Sequence, residues 1–203
     1  MIRQYKLVLV GDGRVGKSCY VNRLMVNECT AMYYPTLGVS VYPKYVGFYP
    51  LIPATAFLAP FLPSNRDAEQ NAKVCFNIWD CSGTVPFMGL EEGYYQNCDC
   101  AIIMFDLTSA EPLVQIRKWY NKIRAVRGNI PIVIVGNKYD LVEGYDITKG
   151  YVNNRFIERF FNQLPVNCSF VQISVKDNLD VLSPLMILAN QLYHHNKDDV
   201  PRL

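Results

Sequence analysis

Histidine is scarce in this sequence, and the net charge is small. The two histidines, His194 and His195, are adjacent, so they do not have the ligand spacing of a zinc site. The formal net charge is +2 and the basic residues are scattered along the chain, whereas nucleic-acid-binding proteins carry concentrated basic patches. A histidine-based metal centre and direct binding of nucleic acid are therefore both disfavoured.

An unbroken apolar segment of membrane-spanning length is also lacking. The stretch from Val46 to Pro63 is apolar but contains Pro50, Pro53 and Pro60 as well. Each proline removes a backbone N–H and clashes with the preceding helical turn, and a transmembrane helix needs about 20 unbroken apolar residues. We therefore predict that this stretch does not form a transmembrane helix.

The N-terminal residues and the cysteines bear on the compartment of the protein. The first residues, Met1 to Lys6, lack the apolar core of a secretory signal peptide, and the seven cysteines are an odd number with no paired metal-ligand spacing. A reducing, intracellular compartment is therefore expected. With 203 residues and 50% hydrophobic composition, the chain is long enough for one well-buried domain.

The sequence does contain a glycine-rich loop between an apolar strand and a helix. Gly11-Asp-Gly-Arg-Val-Gly-Lys-Ser18 follows a predicted strand at 5–10 and opens a predicted helix at 17–27. This pattern is typical of a loop whose backbone N–H groups bind phosphate, with the lysine on the outer phosphates and the serine on Mg²⁺. A glycine-rich turn without a ligand is the alternative. The nucleotide-binding residues predicted here are Gly11, Asp12, Gly13, Arg14, Val15, Gly16, Lys17, Ser18 and Cys19.

Strands and helices alternate along the rest of the chain. A loop from Cys29 leads to a second strand from Val39, which is predicted to form an antiparallel hairpin with a third strand that ends at Asp80. Further strands are predicted at 100–105, 131–136 and 169–174, and helices at 87–95, 112–123, 151–164 and 183–193. This alternation predicts a three-layer α/β fold with a mixed, mostly parallel six-stranded sheet. Its sites should lie at the carboxyl ends of the strands.

A second motif, Asn137-Lys-Tyr-Asp140, follows a predicted buried strand. The Asp140 carboxylate can accept from both the N1–H and the exocyclic amine of guanine, a pattern that adenine does not offer. Lys138 is expected to lay its alkyl stem over the base, and Asn137 to tie this loop to the phosphate loop. Alone, the tetrapeptide also fits a solvated turn. The binding residues predicted outside the phosphate loop are Asn137, Lys138, Asp140, Ser174, Val175 and Lys176, the last three through a backbone N–H near the guanine oxygen.

Together these motifs resemble the Ras superfamily of small GTPases over about residues 5–193. Within it, the chain most resembles the Ran subfamily through Thr36-Leu-Gly-Val39, Gly93-Tyr-Tyr95, the segment 100–106, and Gly136-Asn-Lys138. The resemblance implies the small-GTPase version of the P-loop fold. It also implies a switch that binds GTP or GDP with Mg²⁺.

The resemblance further assigns roles to single residues. Thr36 is expected to ligate Mg²⁺ and sense the γ-phosphate, and Asp80 to hold the metal through water. Gly83 is expected to bond the γ-phosphate from its backbone, and Tyr33 to fold over the phosphates. The predicted catalytic residues are Lys17, Thr36, Gly83, Thr84 and Tyr33, and the predicted metal ligands are Ser18, Thr36 and Asp80.

Four positions depart from the superfamily pattern. Thr84 stands where a glutamine usually orients the attacking water, so slow hydrolysis is predicted. Val85 replaces a glutamate that assists nucleotide exchange. Cys29 falls where an aromatic ring usually stacks against guanine, which predicts weaker binding and faster release. Arg14 stands where small residues are usual, and it either contacts phosphate or crowds the catalytic centre.

Three functions are compatible with these residues. They are a slow GTPase switch, a GTP-binding pseudo-GTPase that docks partners without turnover, and an ATP-using kinase or transport ATPase, which Asp140 disfavours. By resemblance, the partners are effector and regulator proteins, including nuclear transport factors, and the role is nucleocytoplasmic protein transport in the nucleus, the cytoplasm or both. No prenyl or myristoyl anchor is expected, because the last residues lack cysteine and residue 2 is Ile2.

Residues 46–71 are predicted to be an apolar, proline-rich insertion, because the resembling proteins join the second and third strands by a much shorter turn. The domain is then one unit at 1–196, followed by a short tail at 197–203. The insertion either folds back on its own sheet edge or, through 46–63, docks a partner or a membrane surface. Disorder is the third alternative.

Overall fold

Six strands form one mixed sheet. The computed structural model describes residues 2–29, 34–48, 72–83, 91–142 and 168–198. Across the sheet the strands follow the order β2-β3-β1-β4-β5-β6, in which β2 pairs with β3 antiparallel and all other neighbours are parallel. The predicted α/β fold with a mostly parallel six-stranded sheet is confirmed. The strands are β1 (Arg3–Val10), β2 (Val39–Phe48), β3 (Ala72–Cys81), β4 (Cys100–Asp106), β5 (Ile132–Asn137) and β6 (Cys168–Gln172).

Helices cover both faces of this sheet. In the described ranges they are α1 (Lys17–Val26), α2 (Glu91–Tyr95), α3 (Pro112–Arg127) and α4 (Ser183–Asp198), and a 3₁₀ turn lies at Tyr139–Leu141. Pro112 begins α3, where its missing N–H leaves no helical hydrogen bond unmade. Within the described ranges, no helix has the length and apolar character to cross a membrane. The predicted helix at 151–164 lies outside the described residues.

Side chains of β1 alternate between two cores. Leu7 and Leu9 point to the layer that contains α1 and α4, and Val8 and Val10 point to the layer that contains α2 and α3. All four side chains have no exposed surface. Each buried aliphatic side chain contributes about 1.5–3 kcal/mol, so the central strand is fixed from both sides. The loop that follows it is thereby held on a rigid base.

The element boundaries differ from the prediction at two places. β2 continues through Phe48, which pairs with Ala72, because Val46 is still buried in the core opposite Val74. Residues 46–48 therefore belong to the hairpin and not to the insertion, whose residues 49–71 lie outside the described residues. Helix α4 continues to Asp198, two residues into the predicted tail, and 199–203 lie outside the described residues.

The strand order determines where a ligand can bind. β1 lies between β3 and β4, so the direction in which the chain adds strands reverses at β1. In open α/β sheets, ligands bind outside the carboxyl ends of the strands at such a reversal. The loop from Gly11 to Gly16 lies at this point.

Candidate nucleotide-binding site

A cavity of about 720 Å³ opens at the carboxyl ends of the strands. The predicted residues that line it are Gly13, Arg14, Gly16, Lys17, Ser18, Cys19, Thr36, Gly83, Asn137, Lys138, Asp140, Val175 and Lys176. Five others do not line the cavity but contact residues that do, namely Gly11, Asp12, Val15, Asp80 and Ser174. Tyr33 and Thr84 lie outside the described residues.

The two outer glycines of the phosphate loop are required by the protein's own packing. A Cβ atom at Gly11 would lie 2.1 Å from the Met104 carbonyl oxygen, and one at Gly16, where φ is +100°, would lie 2.4 Å from Asn137 Nδ2. The loop is therefore packed closely against β4 and β5 even before a phosphate approaches.

Arg14 has φ of 65°, which costs a non-glycine residue about 1–2 kcal/mol, and its exposed side chain lines the cavity.

Lys17 is a buried cation in the floor of the cavity. Its side chain Nζ donates to the carbonyl oxygens of Gly11 at 2.8 Å and Asp12 at 2.9 Å. Burial lowers the pKa of Lys17, and the charge of Asp80 opposes that shift. Gly83 lies directly against this lysine, since a Cβ atom there would be 2.6 Å from Nζ. The amine is thus placed in the cavity floor beside Gly83, and anionic oxygens there would favour its charged form.

Three oxygen-bearing side chains meet beside Lys17. Ser18 Oγ donates to Asp80 Oδ2 at 2.6 Å and lies 2.9 Å from Thr36 Oγ1. The other carboxylate oxygen, Asp80 Oδ1, is buried and accepts no hydrogen bond from any described residue. Burial raises the pKa of Asp80, against the hydrogen bond from Ser18 and the charge of Lys17. Hard oxygen ligands with an unsatisfied acceptor fit Mg²⁺, so the predicted metal ligands are close enough to act together.

The phosphate loop is anchored to α3 through Asp12. Its Oδ1 accepts hydrogen bonds from Trp119 Nε1 at 2.9 Å and from Lys118 Nζ at 3.0 Å. Trp119 is buried in the core, so the indole fixes the loop to a rigid layer. No local pattern in the sequence indicates the bond between Trp119 and Asp12.

Asn137 connects three loops at the centre of the site. Its Nδ2 donates to Val15 O at 2.9 Å in the phosphate loop, and its Oδ1 accepts from the backbone N–H of Val175 at 3.1 Å. The side chain is buried, so these bonds are shielded from water. This is the tie to the phosphate loop that the sequence motif predicts, and it also reaches the loop after β6.

The carboxylate of Asp140 is held at the far end of the cavity. Its Oδ1 accepts from Ser174 Oγ at 2.7 Å, and Lys176 Nζ lies 3.5 Å from its Oδ2. The aspartate side chain is only 6% exposed. It is therefore oriented in advance, with two oxygens that can accept from the edge of a base.

Lys138 lines the cavity and forms an ion pair with Asp106. Its Nζ lies 2.7 Å from Asp106 Oδ2. Burial of Asp106 acts to raise its pKa, but the hydrogen bonds from Lys138 and from Thr108 prevail and lower the pKa. The ion pair fixes the end of the lysine side chain at Asp106, and the residue lines the cavity.

The chain matches two known protein-family models. The family model described as the Ras family matches residues 59–194, more than half of the chain. The chain belongs to the Ras family. A second family model, the Ras of Complex, Roc, domain of DAPkinase, matches residues 6–51. Ras-family proteins bind GTP and GDP with Mg²⁺ and act as GTPase switches, so this chain is a GTP-binding small GTPase.

Several residues of this Ras-family site were not predicted. Asp106 is the last residue of β4, at the same sheet edge as the other motifs, and that position could have indicated it. Tyr34, Arg23 and Asn22 also line the cavity, and no sequence motif indicates them.

The thiol of Cys29, which was predicted to lie near the base, lines the cavity and is hydrogen-bonded to Cys19. Burial, and then the contact with Cys29, raises the pKa of Cys19.

Proposed function

We propose that this chain is a Ran-like switch that binds GTP and GDP with Mg²⁺ and hydrolyses GTP slowly. One observation carries the proposal. The buried Lys17 with its neighbour Ser18 at one end, and the oriented carboxylate of Asp140 at the other, line one cavity of about 720 Å³. A cavity of this size suits a nucleotide, since small-molecule sites usually measure about 300–1,000 Å³.

Guanine selection rests on the fixed carboxylate of Asp140. Ser174 and Lys176 hold it by one hydrogen bond and one ion pair, so little side-chain entropy is lost when a base binds. The two oxygens accept from N1–H and the exocyclic amine of guanine. Adenine offers no donors at these two positions, so its binding would strip water from the carboxylate without giving new hydrogen bonds in return, which is costly. The alkyl stem of Lys138, extended toward Asp106, covers one face of the ring.

The phosphates are held by the other end of the cavity. Lys17 leaves its carbonyl partners and approaches the outer phosphates, whose charge favours the protonated amine. Ser18, Thr36 and Asp80 would hold Mg²⁺, which when bound neutralises charge that develops on the phosphate oxygens. Gly83 offers its backbone N–H from its position against Lys17. The polypeptide thus supplies orientation and charge compensation.

Slow turnover follows from Thr84. A threonine side chain is too short to orient water as the usual glutamine does. Hydrolysis without an activating protein in such switches is on the order of 10⁻⁴ per second, and losing the orienting group costs roughly 1–2 kcal/mol, about a further tenfold. The switch therefore remains largely in its GTP form until a regulator supplies the missing group.

The Ran-like residues also suggest where the switch acts. The segments Thr36-Leu-Gly-Val39, Gly93-Tyr-Tyr95 and Gly136-Asn-Lys138 carry this likeness. We propose effector and regulator proteins as partners, nuclear transport factors among them, and action in the nucleus, the cytoplasm or both. Residues 49–63 of the insertion are proposed to add a docking contact with a protein or a membrane surface.

Single-turnover hydrolysis of bound GTP tests this function. The purified chain is loaded with GTP and Mg²⁺, and phosphate release is followed over hours. Slow but measurable release that stops when EDTA removes the metal supports the slow switch. Stable binding of GTP with no release identifies a pseudo-GTPase. Failure to bind either guanine nucleotide would remove the proposal.

A further inference from the structure

Arg23 makes three hydrogen bonds to other described residues, and the three acceptors are backbone carbonyls. It lies in the last turn of α1 and is half-buried. Its Nε donates to Val175 O at 3.0 Å, one terminal nitrogen donates to Lys176 O at 2.9 Å, and the other donates to Asn27 O at 2.7 Å. Guanidinium presents its donors in a rigid fork, so the three carbonyls are fixed relative to one another.

Only one of these bonds is explained by helix capping. A cation near a helix C-terminus is favoured by the helix dipole, and the bond to Asn27 O meets that need. The other two acceptors are 152 and 153 residues away in the sequence. They belong to the loop after β6, which lines the end of the cavity that contains Asp140.

Fixing these carbonyls also fixes the N–H groups of the loop. A peptide unit is planar, so its C=O and N–H point in opposite directions. The bond from Arg23 to Val175 O therefore sets the direction of the Lys176 N–H. The Val175 N–H is set separately by Asn137. Arg23 thus ties this loop to α1, the helix that also carries Lys17 and Ser18.

We propose that Arg23 is a positioning residue for the guanine base. It holds the loop at 174–176 so that a backbone N–H faces the O6 atom of guanine, and it couples that loop to the helix that carries the phosphate-binding side chains. This inference rests on the proposed binding of guanine nucleotide. Loss of Arg23 therefore speeds nucleotide release and weakens discrimination at O6, while the phosphate end of the site is unchanged.

The test compares GDP with 6-thio-GDP, in which the O6 atom is replaced by sulfur, a weaker acceptor. Release rates and affinities are measured for the full chain and for Arg23→Gln and Arg23→Lys. Arg117→Gln is the matched control, because Arg117 is exposed on α3 in the opposite layer. Arg23→Gln should release GDP about tenfold faster, since two charge-assisted bonds are lost. It should also lose most of the preference for GDP over 6-thio-GDP, whereas the control keeps it.

Arg23→Lys retains the charge at the helix end but cannot bond both loop carbonyls as a fork. It should show the same loss of preference even if Arg23→Gln does not fold. A merely structural role would weaken both nucleotides equally and leave the preference intact, and that result, or unaltered release, would overturn the inference alone. A wild-type chain that binds no GDP would instead remove the proposed function and this inference with it.

Discussion

The phosphate end and the base end of the cavity hold their polar side chains in different ways. At the base end, Asn137 and Asp140 are held by hydrogen bonds from neighbouring loops. At the phosphate end, burial lowers the pKa of Lys17 and raises the pKa of Asp80. One oxygen of Asp80 is buried and accepts no hydrogen bond from the described residues. The base end is therefore preformed, and the phosphate end has charges that a ligand would compensate.

This difference implies that the base end determines which nucleotide binds, whereas the phosphate end determines how tightly any nucleotide binds. A preformed carboxylate selects the base without rearrangement, so changes at the base end should alter which nucleotide binds. Uncompensated charges gain most when phosphate and Mg²⁺ arrive, so changes at the phosphate end should abolish binding of every nucleotide. The variants below test that division.

Lys17→Ala should have the largest effect. It removes the cation that is proposed to bind the outer phosphates, and loss of one partner of a buried charge pair costs roughly 3–5 kcal/mol, at least a hundredfold in affinity. GDP and xanthosine diphosphate should be affected alike in equilibrium titrations. Lys73→Ala, an exposed change on β3, should leave both affinities unchanged. If Lys17→Ala bound GDP as tightly as wild type, the phosphate end would be misassigned.

Asp140→Asn should change the base preference of the protein from guanine toward xanthine. The amide replaces an acceptor by a donor, so GDP affinity should fall by about ten- to a hundredfold, the cost of a charged hydrogen bond, while xanthosine diphosphate affinity rises. Competition titration of both nucleotides gives the ratio. Asp177→Asn, exposed in the loop after β6, is the control. An unchanged ratio would remove the guanine assignment.

Thr84→Gln should raise hydrolysis without changing binding. The longer amide can orient water, and a gain of about 1–2 kcal/mol corresponds to roughly tenfold in rate. Single-turnover assays at saturating Mg²⁺ measure it, with Thr84→Ser as the control that cannot reach the water. A flat rate in the glutamine variant would point to Arg14, at its left-handed φ of 65°, as the residue that limits the chemistry.

Cys29→Phe should slow GDP release by several-fold. A ring that packs edge-on against the base contributes about 0.5–1.5 kcal/mol beyond its burial. Cys29 lines the cavity beside Cys19, so a ring at this position can reach a bound base. Cys29→Ser serves as the control and should not slow release. Identical release rates for the phenylalanine variant and wild type would show that the side chain is not beside the base.

Replacing residues 49–71 by Asn-Gly should have the smallest effect on nucleotide binding. Phe48 pairs with Ala72, which is the register that a two-residue hairpin turn requires. Ala72 and Asp80 are at opposite ends of β3, about 26 Å apart at strand spacing. GDP affinity should be unchanged, and association with a partner or with lipid vesicles should be lost. A large fall in Tm on replacement would show instead that these residues stabilise the fold.

The sequence predicts the fold and the identity of the motifs better than it predicts the contacts between them. Buried strands such as β4 and β5 can be predicted because a continuous apolar run is typical of a strand that is buried on both faces. The bonds of Arg23 to Val175 O and Lys176 O are not evident, since 152 and 153 residues separate the partners. The predicted start of the insertion at Val46 differs from the structure, in which β2 continues to Phe48. An apolar residue such as Val46 fits either a strand or an apolar insertion, so the sequence does not show where the strand ends.

The nucleotide that the purified protein carries tests the central claim most directly. The chain is expressed and purified with Mg²⁺, denatured, and the released small molecules are separated by anion exchange and identified by mass. A guanine nucleotide equimolar with protein, with a substantial fraction as GTP, is the predicted result. An adenine nucleotide in its place, or an empty protein that takes up no GDP, would contradict the assignment of this chain as a guanine-nucleotide switch.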